Sequence, residues 1–482
     1  MRGAPRSVGA RRAEWVMRRI RPAAVAAMLL AAPAAAQVAE PWQPPVLTTE
    51  RYNEDWSDLA DPARRSGRWT ERFKYMPLDD AGRSYLTTGI EVRLRNEAYR
   101  NNLWGGADAP DDGYLWLRAM PYADLHVGAA RIFVQPIAAY AIGVQPSPGP
   151  VDQTRVDLLQ GFADVVLPLD GEATLRLRAG RELIGLGTER LVGTRYGPNV
   201  PLAFDGGRAI LHSGRATINL LYVLPVEARA DSFDDRSSPT RRLWGAYVTR
   251  TLGSAGGTGI DLYYLGYRNS RAAFDQGEGR ETRHTIGLRS FGAEGNWRWN
   301  VEGVWQFGHF AGAPIRAWTL GTELVRSFPD TPLKPQLTLR ANIVSGDHDR
   351  DDPRLQTFNA LFPKGKYFGE LSPIGPYNIV NAHLGAGIDL GHGFGLGLAG
   401  MAFWRESTGD GIYDIPGHLI RSGEGSDARF VGKEAEATLS WLATPELEIS
   451  ASLSFFKPGA FIRDTGPART IRMIGLESNF RF

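Results

Sequence analysis

The feature that most constrains this chain is an alternation of side chains that restarts again and again along it. In GIEVRLRNEAYR (89–100), Ile90, Val92 and Leu94 fall on one face and Glu91, Arg93, Arg95 and Glu97 on the other. That is a strand with one apolar and one charged face. The pattern recurs in YLWLRAMPYADLHVG (114–128), ATLRLRAG (173–180), NWRWNVEGVWQF (296–307), PQLTLRANI (335–343) and ELEISASLSFF (446–456). Eighteen such segments begin near residues 85, 114, 130, 155, 173, 206, 215, 242, 257, 283, 296, 315, 335, 377, 394, 429, 446 and 469. IRAWTLGTELVRSF (315–328) mixes both faces and has no readable inner side.

A soluble sandwich would bury the apolar faces, whereas a membrane barrel turns them to lipid and lines its lumen with the charges. The gaps between strands separate the two. Tight connections follow the second, fourth and sixth segments: GA near 128, LDGE at 169–172 and SGR at 213–215. Long ones follow most odd segments, at 100–113, 144–154, 184–205, 228–241, 269–282, 345–376, 406–428 and 457–468, while 310–314 is short. One rim of loops and one of turns is the habit of an outer-membrane barrel, and an even strand number fits it. The expected fold is therefore all-β, a transmembrane antiparallel β-barrel of 18 strands with long extracellular loops and short periplasmic turns.

The ends of the chain agree. Residues 1–36 read as a signal peptide, with basic MRRIR (17–21), a short apolar stretch (22–33) and a small-residue site ending at Ala36. Met17 is an alternative start. Residues 37–84 read as an N-terminal periplasmic segment leading into a barrel over 85–482 that closes on TIRMIGLESNFRF, ending at Phe482. No later run offers the 18 or more apolar residues of a membrane helix, and the mean hydropathy of −0.26 is too polar for a helical membrane protein. The chain has no Cys, which suits an envelope protein that does not rely on disulfides. Aromatics near strand ends (Tyr114, Trp116, Trp244, Tyr263, Tyr264, Trp297, Trp404, Trp441 and Phe480) are expected to form interfacial girdles.

Parity sends ten arginines to the lumen: Arg93, Arg95, Arg118, Arg131, Arg176, Arg178, Arg208, Arg289, Arg298 and Arg340. Arginine suits an anion path, being always charged and matched to carboxylates. The lumen acids are Glu91, Glu97, Asp124, Asp164 and Glu302, with Glu434, Glu436, Glu446, Glu448 and Glu477 later in the chain. Either the acids weaken anion binding enough for release, or the charges neutralise one another across the lumen. Loop cations Arg190, Arg195, Lys364 and Lys366 are expected to form an outer funnel, and loops 184–205 and 345–376 are the gate candidates.

Other motifs carry little. GLGLAG (395–400) matches G-x-G-x-x-G but has no βαβ context, and reads as a lightly packed strand. Asp347, Asp349 and Asp351 alternate like the start of a calcium loop, yet the glycine and glutamate that such a loop needs are missing. No zinc motif and no G-x-S-x-G is present. With a net charge of only +2, nucleic acid is not an expected partner. No cofactor, no metal and no enzymatic activity are expected.

Five stretches carry a resemblance: RYNEDWSDLADPARR (51–65) with KYMPL (74–78); LRAGRELIGLGTERLVGTRYGPNVPLAFDGGRAIL (177–211); DLYYLGYRN (261–269) with AAFDQGEGRETRHTIGLR (272–289); SGDHDRDDPRLQTFNALFPKGKYFGE (345–370); and FFKPGAFIRDTGP (455–467). Together they resemble the bacterial alginate export family of outer-membrane proteins, from about Arg51 to Phe482. The resemblance implies an eighteen-stranded barrel whose arginine-rich, electropositive constriction passes an anionic uronic-acid polymer outward. The expected function is export of an alginate-like polysaccharide through an Arg-lined lumen. The alternative is a porin or uptake channel for small anions or oligosaccharides. The expected partners are outer-membrane lipid, the anionic glycan, periplasmic export machinery and the barrel assembly machinery.

Overall fold

A computed structural model describes residues 43–252 and 257–482, so the signal peptide read over 1–36 lies outside the described residues. Eighteen long strands form the structure. The first six are β1 (Ser84–Arg100), β2 (Asp112–Val127), β3 (Ala130–Ile142), β4 (Arg155–Pro168), β5 (Thr174–Leu183) and β6 (Ala203–Ser213). They are followed by β7 (Ala216–Glu227), β8 (Arg241–Leu252), β9 (Thr258–Phe274), β10 (Gly277–Glu294), β11 (Trp297–Phe310) and β12 (Ala313–Ser327). The last six are β13 (Gln336–Val344), β14 (Ile379–Gly391), β15 (Phe394–Arg405), β16 (Phe430–Leu442), β17 (Leu447–Pro458) and β18 (Ile471–Arg481). Each pairs antiparallel with its sequence neighbour, and β1 pairs β18 from Glu91↔Arg481 to Arg100↔Arg472, which closes the sheet into a barrel.

Turn chemistry holds one rim tight. The two-residue links at Gly214-Arg215, Gly295-Asn296 and His392-Gly393 each carry at least one positive-φ residue, as hairpin turns that match strand twist require. The opposite rim carries the loops, with one departure from the expectation. The gap expected at 269–282 is a hairpin of β9 and β10 that turns at Asp275 and Gln276, with a register shift between Asn269 and Ala272. Both strands overshoot the barrel wall there, because Phe274 packs edge-on against Phe310 of β11 and Ala272 is buried with it.

Alternation sorts the two faces as the sequence implies. Val92, Leu94, Leu288, Leu339, Leu384 and Leu476 point outward and stand exposed, while Arg93, Arg118, Asp124, Arg178 and Glu302 point inward and are buried. The mixed strand β12 also resolves. Ile315, Ala317 and Val325 face inward, and Trp318, Leu320 and Leu324 face outward. At its loop-rim end the inner face is apolar because a loop rather than water covers it: Ile315 forms a parallel bridge with Leu355, while Glu323 further along borders the lumen cavity. Three of the expected girdle residues are corrected. Trp116 and Tyr263 are buried inside the barrel, sharing parity with Arg118 and Asp261, and Tyr114 points inward beside Trp116 to donate to Glu97, whereas Trp297, Trp441 and Tyr264 do face outward.

The main apolar core therefore lies inside the barrel. Loops 184–202 and 345–378 fold into the loop-rim half and interlock through a parallel bridge at Val192↔Phe362, where Gly193 N donates to Phe362 O and Phe362 N to Leu191 O. Leu191, Val192, Phe358, Leu361 and Phe362 are buried there against Phe204 and Tyr267 of the wall. The segment before β1 fills the other end. Trp69 contacts Phe480 and Phe482, and Tyr52 reaches further in to pack on Phe133 and Phe162.

Candidate functional site

The candidate site is the lumen, and its two sides differ. On β1–β6 the inward arginines are consumed by structure. Arg93 donates to Tyr196 O (3.1 Å) and Pro198 O (2.6 Å). Arg118 donates to the same two carbonyls (3.2 and 3.0 Å), pairs with Glu91 (2.6 Å) and lies over the Tyr196 ring. Arg95 pairs with Glu97 and lies 3.4 Å from Glu477. Arg131 grips Asp124 through two bonds and donates to Tyr52 O (2.6 Å). Arg178 is bidentate on Asp164 (2.7 and 2.8 Å), reaches Glu182 and stacks over Phe162 and Tyr52. Arg176 stands 3.8 Å from the same Asp164, and Arg208 bonds Glu182 (2.8 Å) and Asn219 (2.7 Å). Here the acids neutralise their arginine neighbours, which is the structural one of the two readings open from sequence. Breaking any such buried pair leaves an uncompensated charge, at roughly 3–5 kcal/mol.

The side formed by β11–β16 is different. A cavity of about 220 Å³ is bordered by Arg190, Arg340 and Lys364 together with Asn300, Asn342, Asn381 and His383. Arg340 of β13 pairs with Glu323 (2.6 Å) and is 39 % exposed. Arg190 comes from loop 184–202 and lies over Gly321, where an added Cβ would fall 2.2 Å from its guanidinium. It donates to Glu302 (3.1 Å), Asn342 (2.8 Å) and Tyr367 (2.8 Å). Glu302 also accepts from Tyr263 (2.7 Å). Arg289 on β10 pairs with Asp261 (2.6 Å). Arg298 has no hydrogen-bond or ion-pair partner among the described residues.

The loop cations expected at an outer funnel lie inside the barrel instead, because their loops fold inward. Arg195 Nε donates to Pro363 O (3.2 Å), Lys364 borders the cavity and Lys366 pairs with Glu370. Sequence reasoning also missed Tyr52, Tyr196, Asn199 and His383. Asn199 is a buried clamp whose Nδ2 donates to Leu117 O, Tyr140 O and Asp152 O, tying loop 184–202 to β2 and β3. Its setting in Gly-Pro-Asn-Val-Pro, a run that resists regular structure, was the available signal.

The calcium reading of Asp347, Asp349 and Asp351 fails on geometry. Asp347 accepts from the backbone N of Asp349 and Gln356, and Asp349 accepts from the backbone N of Asp351. The carboxylates cap turns rather than converge, and among the described residues the only metal-compatible cluster is elsewhere, at Asp157, Asp234 and Asp235. Burial pushes the Asp347 carboxyl up to about 6, against the lowering effect of its backbone donors and with a further rise from Asp410. A raised carboxylate favours the packed loop while protonated, and that gain is lost as pH rises from about 4 through about 6. Hydrogen exchange of loop 345–378, corrected for intrinsic rates, should be faster at pH 8 than at pH 5, and Asp347→Asn should shrink the difference.

A closed antiparallel barrel with an apolar outer band, a charged lumen, long loops on one rim and turns on the other is an integral outer-membrane channel of the porin type. The chain belongs to the alginate export family, whose model matches residues 84–475. No curated protein sequence matches it. Among solved structures it is similar to OccK11 (OpdR) of Pseudomonas aeruginosa, at 13 % identity and TM-score 0.51, over 85 % of this chain and 97 % of that one. It is similar to OccK2 (OpdF) of the same organism in complex with glucuronate, at 12 % identity and TM-score 0.54, over 82 % and 96 %. A BenF-like porin from Pseudomonas fluorescens Pf-5 gives 9 % identity and TM-score 0.56, over 82 % and 98 %. At these identities the likeness is one of fold.

Proposed function

We propose that this channel exports an anionic, uronate-bearing polysaccharide across the outer membrane. The observation that carries the reading is the cavity of about 220 Å³ where Arg190, Arg340 and Lys364 meet three asparagines. Guanidinium and ammonium groups suit a carboxylate, and the amides suit sugar hydroxyls. Membership of the alginate export family supports the same substrate class. Partners in this reading are the glycan, the periplasmic machinery that delivers it and the barrel assembly machinery.

A second reading is uptake of small anions or acidic oligosaccharides. It is favoured by the two loops interlocked inside the barrel and by the porins of similar fold, one of them solved with glucuronate. Planar-bilayer recording separates these from a neutral pore. The channel should prefer anions, and uronate oligomers should block it. Arg340→Gln with Lys364→Gln should move the reversal potential toward zero and weaken oligomer block by about tenfold per lost charge, roughly 1.4 kcal/mol each. Block by long polymers applied from the turn side favours export, and passage of short oligomers alone favours uptake. A cation-selective pore that uronates never block would sink both.

A further inference from the structure

We propose that solute crosses the barrel off-centre, along the inner wall of β13–β16, and that Gly387 and Gly397 set the bore there. The arginines of β1–β6 are then struts for the plug rather than contacts on the path. This rests on the protein being a channel and not on the charge of its solute.

Three observations carry it. First, the β1–β6 sector is filled. Loop residues 196–199 are held by Arg93, Arg118 and Asn199, and Tyr52 from the N-terminal segment packs among Phe133, Phe162 and Arg178. Second, the opposite sector is open. A cavity of about 360 Å³ is bordered by Gln336, Thr338, Gly387, Gly397, Glu436 and Thr438. An added Cβ at Gly387 would meet nothing within 4 Å, and at Gly397 only a backbone oxygen at 3.8 Å. Side chains there would project into the open space without displacing the wall. Third, this cavity and the Arg190–Arg340–Lys364 cavity share Arg340, Phe368 and His383. His383 is 7 % exposed, and its Nδ1 has no hydrogen-bond partner among the described residues. A buried donor or acceptor left unpaired at the junction of two cavities is placed to meet a passing polar group or its water. Arg340 and Glu436 also border this cavity, as does the Lys366–Glu370 pair. The GLGLAG run of β15 therefore supplies bareness, not a phosphate loop.

The chain lacks cysteine, so single cysteines report position cleanly. Gly387→Cys, Gly397→Cys and Asn219→Cys would be recorded in planar bilayers before and after a charged methanethiosulfonate reagent, with folding checked by heat-modifiable gel mobility. Conductance should fall by at least half at 387 and 397 and stay within a few per cent at 219, an inward position on β7 held by Arg208. Gly387→Trp should cut conductance severalfold with ion selectivity unchanged. Block at 219 with none at 387 or 397, or a folded Gly387→Trp channel of ordinary conductance, overturns the proposal. Failure of the anionic-substrate reading registers separately, as a wild-type pore without anion preference.

Discussion

Arg118→Ala is expected to lower the stability of the barrel by about 3–5 kcal/mol and to raise its conductance at the same time. Arg118 is buried, and its guanidinium does three things at once. It neutralises Glu91 (2.6 Å), donates to the Tyr196 and Pro198 carbonyls, and stacks on the Tyr196 ring. Alanine leaves Glu91 buried with the Tyr196 hydroxyl as its hydrogen-bond partner, and leaves the Tyr196 and Pro198 carbonyls with Arg93 as their remaining donor. The loop 196–199, left to Arg93 and the Asn199 clamp, should then loosen from β1 and β2 and widen the filled half of the lumen. Thermal unfolding and single-channel conductance read the two effects on one sample. Arg340→Gln is the contrast. Arg340 is 39 % exposed and its pair with Glu323 sits at the water-filled side, so its loss should change stability by less than about 1 kcal/mol while altering selectivity. A stable Arg118→Ala channel of unchanged conductance would show that the β1–β6 arginines are not holding a plug.

The wall of this protein was legible in its sequence because the signal there is periodic. Period-two alternation fixed the inward set on β1, where Arg93 and Arg95 do face the lumen, and the turn residues marked where strands reverse. The β9–β10 hairpin escaped because polar Glu278 and Arg280, which read as loop, belong to strands that run past the wall. Parity alone would have corrected three girdle assignments, since Tyr114 and Trp116 lie four and two residues before Arg118 and Tyr263 two after Asp261.

The lumen was much less legible. Which arginine stays open depends on what fills the barrel, and the fillers are irregular segments with no period to read. Tyr52, Tyr196 and Asn199 are polar or aromatic residues in irregular segments, and their targets lie on remote strands: backbone carbonyls for Tyr52 and Asn199, the Glu91 carboxylate for Tyr196. A list of inward cations therefore contained both the struts, such as Arg178, and the open site at Arg340, with nothing in the local sequence to separate them. The separation comes from contact: Arg178 meets two acids and two rings, whereas Arg340 meets one acid and a cavity.

The second large effect tests the sidedness on which all of this depends. Leu339 and Leu384 are directly opposed across β13 and β14, and both point out of the barrel, 54 % and 62 % exposed. The next pair along, Arg340 and His383, points in. Leu384→Arg should cost about 2–4 kcal/mol, because a guanidinium on the lipid face near the middle of the membrane has neither water nor a counter-ion. Thr338→Arg places the same side chain one residue from Leu339 but on the cavity wall beside Gln336 and Gly387, where water reaches it, and should cost under about 1 kcal/mol. Reversible urea unfolding in lipid vesicles measures both. The two positions sit on neighbouring strands one residue out of register, so equal costs would mean that both faces of the β13–β14 pair meet the same medium. A soluble sandwich buries one face of each strand in a dry core and gives the opposite order for an exposed leucine, since its outward side is already in water. Only a barrel with lipid outside and solvent inside makes the exposed leucine the intolerant position and the inward threonine the tolerant one.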